Sequence, residues 1–438
     1  MMIPLSTCSS RLRSSTVSHL TRNTEAYLQP SPRLIILINN GRGIAASSRA
    51  ITRRFISSSQ ISATSQTRQY NRSATGVLIT MSQKRQNSTA AGGKQKEKKE
   101  VSPPRPSSSI LLLSPTNQVL LLHRVQTSSS FASAHVFPGG NLSSFHEGSL
   151  SGDLHADSLQ YRLAAVRETF EESGILLTRD PLNLSEQVRE EGRTKVHSNK
   201  IKFTDWLTSV GGVPDTDGLV PFTRWITPTN MPKRFTTQMY LYLLPTNQYH
   251  AGSTGKQEVI VQTPSHDGGI EHTAATFDDV SSWLDKARKN EIILFPPQLY
   301  LLTLVSNFLG SAVSAKNDGD YQKQRDALLQ FINTTPTTMI EGPLAGSGKV
   351  HPTGMIPWSE KTMSPTALFV RQSDKRIVLG LDKPGPELKD SGKGGDWDRV
   401  VLVNFTKQGP RDVEVRLRED VLKEEREVEK KEDGAAKL

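Results

Sequence analysis

The chain has 438 residues, 35% of them hydrophobic: enough for a buried core, but sparse for a chain folded along its whole length. Its formal charge of +10 comes from residues 1–96, which hold 14 basic side chains and one acid, Glu25; the remainder holds 40 basic and 43 acidic side chains. The body is therefore near neutral, so its isoelectric point is no argument for binding DNA, and Cys8, the only cysteine, excludes a disulfide framework or cysteine chemistry beyond the leader.

Residues 1–96 read as an unstructured targeting leader and linker. Up to about residue 90 they are rich in Ser, Thr and Arg, the composition of a mitochondrial transit peptide. Arg53-Arg54-Phe55-Ile56-Ser57-Ser58 resembles the Arg-x-Phe-x-x-Ser pattern of matrix processing sites. A non-targeting extension is the plain alternative, and a start at Met81 would remove the segment. A Lys/Pro/Ser linker (94–109) leads to strands predicted over 110–113 and 118–124, with a turn at Asn117. Val136-Phe137-Pro138-Gly139-Gly140 ends a short strand in a glycine turn. A helix follows over 159–173, stopped by Gly174.

Further strands are predicted over 220–226, 238–244 and 258–263. Helices are predicted over 278–290, with Trp283, Leu284 and Ala287 in the core, over 296–309, with Pro297 in its first turn, and over 318–333. Residues 336–410 read as a C-terminal extension of short strands, among them 367–371 and 376–381. Residues 411–438 read as a charged tail, a solvated helix or an unstructured segment, ending in Ala436-Lys437-Leu438. That tripeptide is a close variant of the Ser-Lys-Leu peroxisomal address, so the two ends together predict a mitochondrial or peroxisomal matrix protein met by organelle import receptors. The longest apolar stretch, 292–313, is interrupted by Pro296, Pro297, Gln298, Ser306 and Asn307, so no membrane span is expected. Separate strands and helices without regular alternation predict an α+β fold.

The helix over 159–173 carries the chemistry. At about 100° per residue, Leu159, Leu163, Val166 and Phe170 form one apolar stripe, predicted to face the core. Glu168, Glu171 and Glu172 gather on the other side at i, i+3 and i+4. Three carboxylates within one turn repel one another unless a cation sits among them, and hard oxygen ligands suit Mg²⁺ or Mn²⁺. Taken alone, the same pattern describes an acidic solvated face.

The context of the helix decides between these. Gly-Gly followed by Arg167-Glu168-x-x-Glu171-Glu172-x-Gly174-Ile175 resembles the Nudix hydrolase signature, Gly-x5-Glu-x7-Arg-Glu-hydrophobic-x-Glu-Glu-x-Gly-hydrophobic. Thr169 stands where that pattern has an aliphatic residue. Gly140 and Arg167 lie 27 positions apart, about 13 more than the pattern has, so the first glutamate has no clear counterpart; Glu147 is nearest, with Asp153 and Asp157 competing. The inserted box, together with Trp225-Ile226-Thr227-Pro228, Lys233-Arg234-Phe235-Thr236 and Leu294-Phe295-Pro296-Pro297-Gln298-Leu299-Tyr300, is similar to the acyl-coenzyme A diphosphatase (Nudix hydrolase 19-like) branch over roughly residues 108–310.

That resemblance implies a Nudix α/β/α sandwich with a mixed sheet over 97–335. It implies Mg²⁺ or Mn²⁺ held by Glu168, Glu171 and Glu172, with Arg167 orienting a carboxylate and Gly139 and Gly140 letting the backbone approach the metal. Glu271 is the candidate distal base, and Lys233 and Arg234 are candidate phosphate contacts, with plain surface charge as the alternative. The implied reaction is hydrolysis of a small-molecule nucleotide diphosphate, with CoA or acyl-CoA favoured over NADH, ADP-ribose or capped RNA. A non-catalytic nucleotide- or CoA-binding module is the rival outside the enzyme class.

Other patterns fail. Gly346-Ser347-Gly348-Lys349 lacks the Ser or Thr of a phosphate loop, with Val350 in its place. His266, Asp267, Glu271 and His272 have no confirming zinc-ligand spacing elsewhere, and no Gly-x-Ser-x-Gly elbow supports a serine hydrolase.

Overall fold

The first strand, β1 (Arg105–Leu113), is buried from Ser107 onward on both faces, as expected of a strand covered by helices on either side. The computed structural model describes residues 101–125, 132–246, 265, 272–310, 318–337 and 351–435. The predicted leader, the strand over 258–263, Glu271 and Ala436-Lys437-Leu438 lie outside them. Gly93–Leu438 forms one compact unit.

Around β1 lie β2 (Val119–Arg124), β3 (His135–Val136), β4 (Gly139–Asn141), β5 (Val220–Ile226), β6 (Phe235–Leu243), β7 (His272–Asp278) and β8 (Thr362–Met363), in the order β3-β2-β1-β6-β5-β8, with β4 also on β1 and β7 also on β2. The sheet is mixed: β1 and β6 run parallel, as do β5 and β8, and the other pairs are antiparallel. Parallel pairing draws residues 105–109 into β1, so the strand starts inside the segment predicted as linker.

One face of the sheet packs on α1 (Leu159–Ser173), α2 (Glu186–His197) and α3 (Phe203–Ser209), with Phe170 stacked on Trp206 at 4.7 Å. The other face packs on α4 (Val280–Arg288), α5 (Pro296–Val305) and α6 (Asp318–Asn333). This is the expected α/β/α sandwich in the α+β class.

Two expectations are corrected. Leu159 is 59% exposed, and the buried stripe of α1 runs instead through Tyr161, Ala165, Val166 and Phe170. The reason is that α2 and α3 cover the second half of α1 and do not reach Leu159 at its start. The same cover buries Glu171 and Glu172, which periodicity alone would leave on a solvated face. Residues from 411 onward begin not as a tail but as a strand, β12 (Gly409–Leu417), followed by α7 (Arg418–Ala435). This strand pairs in a second sheet, order β12-β11-β10-β9, with β9 (Thr366–Val370), β10 (Ile377–Leu381) and β11 (Asp396–Thr406).

The second sheet shares its core with the sandwich. Leu379, Leu381, Val401, Val403 and Val415 cluster with Leu299, Tyr300 and Leu304 of α5. At the centre of this contact Tyr300 donates to Asp396 Oδ2 at 2.6 Å, and Arg399 donates to the same oxygen at 2.9 Å. Burial opposes ionisation of Asp396, yet Arg399 and Lys361 hold its carboxyl below the usual range. Asp396→Ala would take from Arg399, which has no exposed surface, the carboxylate it donates to at this contact, and is expected to destabilise the fold by about 3–5 kcal/mol. Chemical denaturation checks this; a loss below about 1 kcal/mol would contradict a buried pair.

Candidate active site

The site is built where α1 meets the β4 glycines. Gly174 ends α1 in the left-handed conformation (φ 71°) and its N–H bonds Phe170 O, so the glycine that signalled the helix end performs that role. Thr169, the departure from an aliphatic residue, is fully buried; its hydroxyl donates to Ala165 O at 2.9 Å, which satisfies it without a partner outside the helix. On the other side, Gly139 and Gly140 pair with Ser109 and Ser108 of β1, which brings their backbone against the carboxylates.

Gly139 N–H donates to Glu172 Oε2 at 2.7 Å. A Cβ on Gly140 would lie 2.5 Å from Glu168 Cδ and 2.6 Å from both carboxylate oxygens. At Gly139 a Cβ would overlap the Ser108 carbonyl, and φ is +154°. Glycine is thus required at both positions by close approach to the strand beneath and to the acid beside it.

Arg167, 3% exposed, is the hub. It donates from Nε to Glu147 Oε1 at 2.7 Å, from one terminal nitrogen to Glu168 Oε1 at 2.8 Å and Glu171 Oε1 at 2.9 Å, and from the other to Asn141 O at 3.0 Å and Glu147 Oε2 at 3.2 Å. Burial opposes its charge, but the acids, Glu168 foremost, hold it firmly protonated.

Of the three acids competing for the place of the first glutamate, the fold brings Glu147 to Arg167. Asp153 is exposed and accepts from His155 N–H at 2.8 Å, and Asp157 pairs with Arg162 at 2.6 Å and accepts from the Tyr240 hydroxyl. The interval between the glycines and α1 contains a turn in which Ser143 N–H donates to Glu147 Oε2 at 2.7 Å.

Three carboxylates thus surround one guanidinium, with Glu172 next to them on α1, an excess of negative charge in a mostly buried place. Burial pushes the Glu168 carboxyl up to about 7; Arg167 opposes that rise, and Glu171 and Glu147 add to it. A cavity of about 430 Å³ opens beside the cluster, walled by Asn141, Ser143, His146, Glu168, His197 and Asn199 among others. The donor set is hard oxygen with surplus negative charge, which fits Mg²⁺ or Mn²⁺. Among the described residues no three ligating side chains are already gathered around one point, because Glu168 and Glu171 each turn one oxygen to Arg167.

The predicted phosphate contacts sit elsewhere. Arg234 is buried, pairs with Glu387 at 2.5 Å and donates to Thr227 O and Ser102 O, so its guanidinium serves the fold; Lys233 is exposed, and neither lines the cavity.

Residues that sequence reasoning missed come from α2. His197 Nδ1 lies 3.1 Å from Glu171 Oε2, and Arg193 Nε donates to Glu171 O at 2.6 Å. His272, at the start of β7, places Nε2 3.6 Å from Glu172 Oε1. The available signal was Arg193 and His197 at i and i+4, one face of a helix, beside the small Gly192 that packs on Trp206.

Residues 144–305 match the model of the NUDT19 Nudix domain. The chain is 29% identical over 191 residues to putative nudix hydrolase 7 of Caenorhabditis elegans, covering 44% of this chain and 56% of that protein. It is 26% identical over 346 residues to acyl-coenzyme A diphosphatase NUDT19 of Gallus gallus, covering 66% of this chain and 82% of that one. The match thus spans little more than half the length of the nematode relative. Among solved structures, a NUDIX hydrolase from Alicyclobacillus acidocaldarius overlaps 47% of this chain and 91% of its own, at 20% identity and a TM-score of 0.37. With the glycine turn, the Arg167 hub and its carboxylates in place, residues 144–305 carry a Nudix domain resembling that of NUDT19.

Proposed function

We propose that the chain is a divalent-cation-dependent pyrophosphohydrolase. Its reaction is cleavage of the diphosphate of coenzyme A or an acyl-CoA to adenosine 3′,5′-bisphosphate and (acyl-)phosphopantetheine. The observation that carries this reading is the approach of Glu172 and Glu168 to the Gly139–Gly140 backbone, with Glu171 tied to Glu168 through Arg167, along the wall of a cavity. The 26% identity to a protein named acyl-coenzyme A diphosphatase supports the choice of substrate.

Mg²⁺ or Mn²⁺ held by Glu168, Glu171 and Glu172 would neutralise the diphosphate and lower the pKa of a bound water. The chain's own groups prepare that place. Arg167 ties Glu147, Glu168 and Glu171 together, so that three acids keep a fixed spacing. The Gly139 N–H holds Glu172, and the bare Gly140 leaves the Glu168 carboxylate room to face the cavity. Glu147 takes the part of the first glutamate of the box, and Glu271, which precedes His272 in sequence, is the candidate distal base.

Because the Glu168 carboxyl is pushed up to about 7, protons compete with the cation there. Mn²⁺ affinity is expected to fall as pH drops from about 8 to about 6, and calorimetric titration across that range checks it. An affinity independent of pH would remove Glu168 from the ligand set.

The test of the function is turnover by the full chain with Mg²⁺ and a panel of CoA, acyl-CoA, NADH and ADP-ribose. Adenosine 3′,5′-bisphosphate from CoA or acyl-CoA is the expected product. Preference for NADH or ADP-ribose would overturn the substrate, and tight CoA binding without turnover would favour a binding module. The leader composition and Ala436-Lys437-Leu438 support a mitochondrial or peroxisomal matrix address, read by import receptors. Localising fusions with and without the last three residues decides between the two organelles.

A further inference from the structure

Two side chains of α2 bond a single residue of the box, Glu171. Arg193 and His197 are one helical turn apart and so share a face of α2. Arg193, 4% exposed, donates from Nε to the main-chain oxygen of Glu171 at 2.6 Å. That carbonyl is among the last four of α1, which have no partner within the helix, so the guanidinium satisfies it. A second Arg193 nitrogen donates to Ser265 Oγ at 2.9 Å, and Ser265 N–H donates to Ser173 O at 2.9 Å, which ties down the end of α1.

His197 acts on the other end of the same residue. Its Nδ1 lies 3.1 Å from Glu171 Oε2. A carboxylate can only accept, so Nδ1 carries the proton and donates. Glu171 is thereby held at three points: its carbonyl by Arg193, Oε1 by Arg167 at 2.9 Å and Oε2 by His197. Glu168 is held by Arg167 at Oε1, and Glu172 by the Gly139 N–H at Oε2. The His197 ring is 40% exposed and walls the cavity, so it is not a core group whose loss would unfold the chain.

We propose that His197 is a positioning residue for Glu171, presetting its carboxylate for the divalent cation through the Nδ1–H donor. The inference rests on the metal-binding role of Glu171 given above and adds to it a group outside the box, on a separate helix. Arg193 fixes the backbone of Glu171, and His197 selects the rotation of its carboxylate.

The test is Mn²⁺ binding to the full chain without substrate, by titration calorimetry or by loss of the free Mn²⁺ electron paramagnetic resonance signal. His197→Ala is expected to weaken Mn²⁺ binding roughly tenfold or more, the usual effect of removing a partner of a metal ligand, with the melting temperature unchanged. His197→Asn, whose amide nitrogen lies near the place of Nδ1, is expected to restore most of that affinity. A general packing role would not distinguish the two variants in this way. Glu171→Gln is measured beside them. If Glu171→Gln weakens Mn²⁺ binding and His197→Ala does not, or if His197→Asn binds no better than His197→Ala, the positioning role is overturned and the metal site stands. If Glu171→Gln itself binds Mn²⁺ like the unaltered protein, the ligand role of Glu171 falls and the inference falls with it.

Discussion

Glu171→Gln and Glu172→Gln, each tested alone, are expected to lower kcat on CoA by on the order of 100- to 1000-fold, the scale of losing one charge-stabilising group in a closed site. The change is isosteric and removes a charge from a cluster in which three acids already surround one guanidinium with Glu172 beside them, so the fold should tolerate it. Arg167 keeps Glu147 and Glu168 as partners in the Glu171 variant, so it is not stranded. Melting temperatures are therefore expected to stay near that of the unaltered chain. Steady-state kinetics with adenosine 3′,5′-bisphosphate as the measured product checks the loss. Undiminished turnover in both variants would remove these acids from the chemistry.

Gly140→Ala is expected to be nearly as damaging by a different route. The new methyl group would stand 2.5–2.6 Å from the Glu168 carboxyl atoms, well inside contact distance. A flexible side chain would swing away, but Glu168 is held at Oε1 by Arg167, which is itself locked to Glu147 and Asn141 O. The strand beneath cannot yield easily either, since Gly140 pairs with Ser108 of β1. The expected result is a loss of Mn²⁺ affinity and of turnover of about 100-fold, with about 1–3 kcal/mol of destabilisation from overpacking. Calorimetry, kinetics and denaturation measure the three. A Gly140→Ala protein with normal Mn²⁺ binding would show that the glycine turn and the carboxylates act independently.

What was legible in the sequence was local. The limits of α1 follow from apolar period and from Gly174, and both match the structure. β1, β2, β5 and β6 of the sandwich were found from short apolar runs, whereas β7 and β8 were not, and Glu168, Glu171 and Glu172 were found from their spacing on one turn. What depended on distant partners was not legible. Leu159 fits the stripe by period, yet whether it is buried depends on how far α2 and α3 reach along α1. Residues 105–109, three of them serine, gave no strand signal, and their pairing with 235–239 of β6 supplied what propensity did not.

The site divides in the same way. Glu147 was one of three acids at unequal distances along a loop, and only the folded turn at Ser143 shows which reaches Arg167. Arg193 and His197 lie in a stretch dense in charge with a glycine in its middle, so no apolar period marked a helix there. Gly192 is the residue that allows Trp206 to pack and α2 to approach Glu171. Arg234 reads as a phosphate ligand by type, but its charge is spent on Glu387 of the C-terminal extension, a partner more than a hundred residues away.

The most direct measurement is anomalous diffraction from crystals of the full chain grown with Mn²⁺. A peak is expected among the carboxylates of Glu168, Glu171 and Glu172, at the edge of the Gly139–Gly140 backbone and open to the cavity. A fully occupied peak elsewhere, or none there at saturating Mn²⁺ with Glu168 and Glu171 still turned to Arg167, would contradict it.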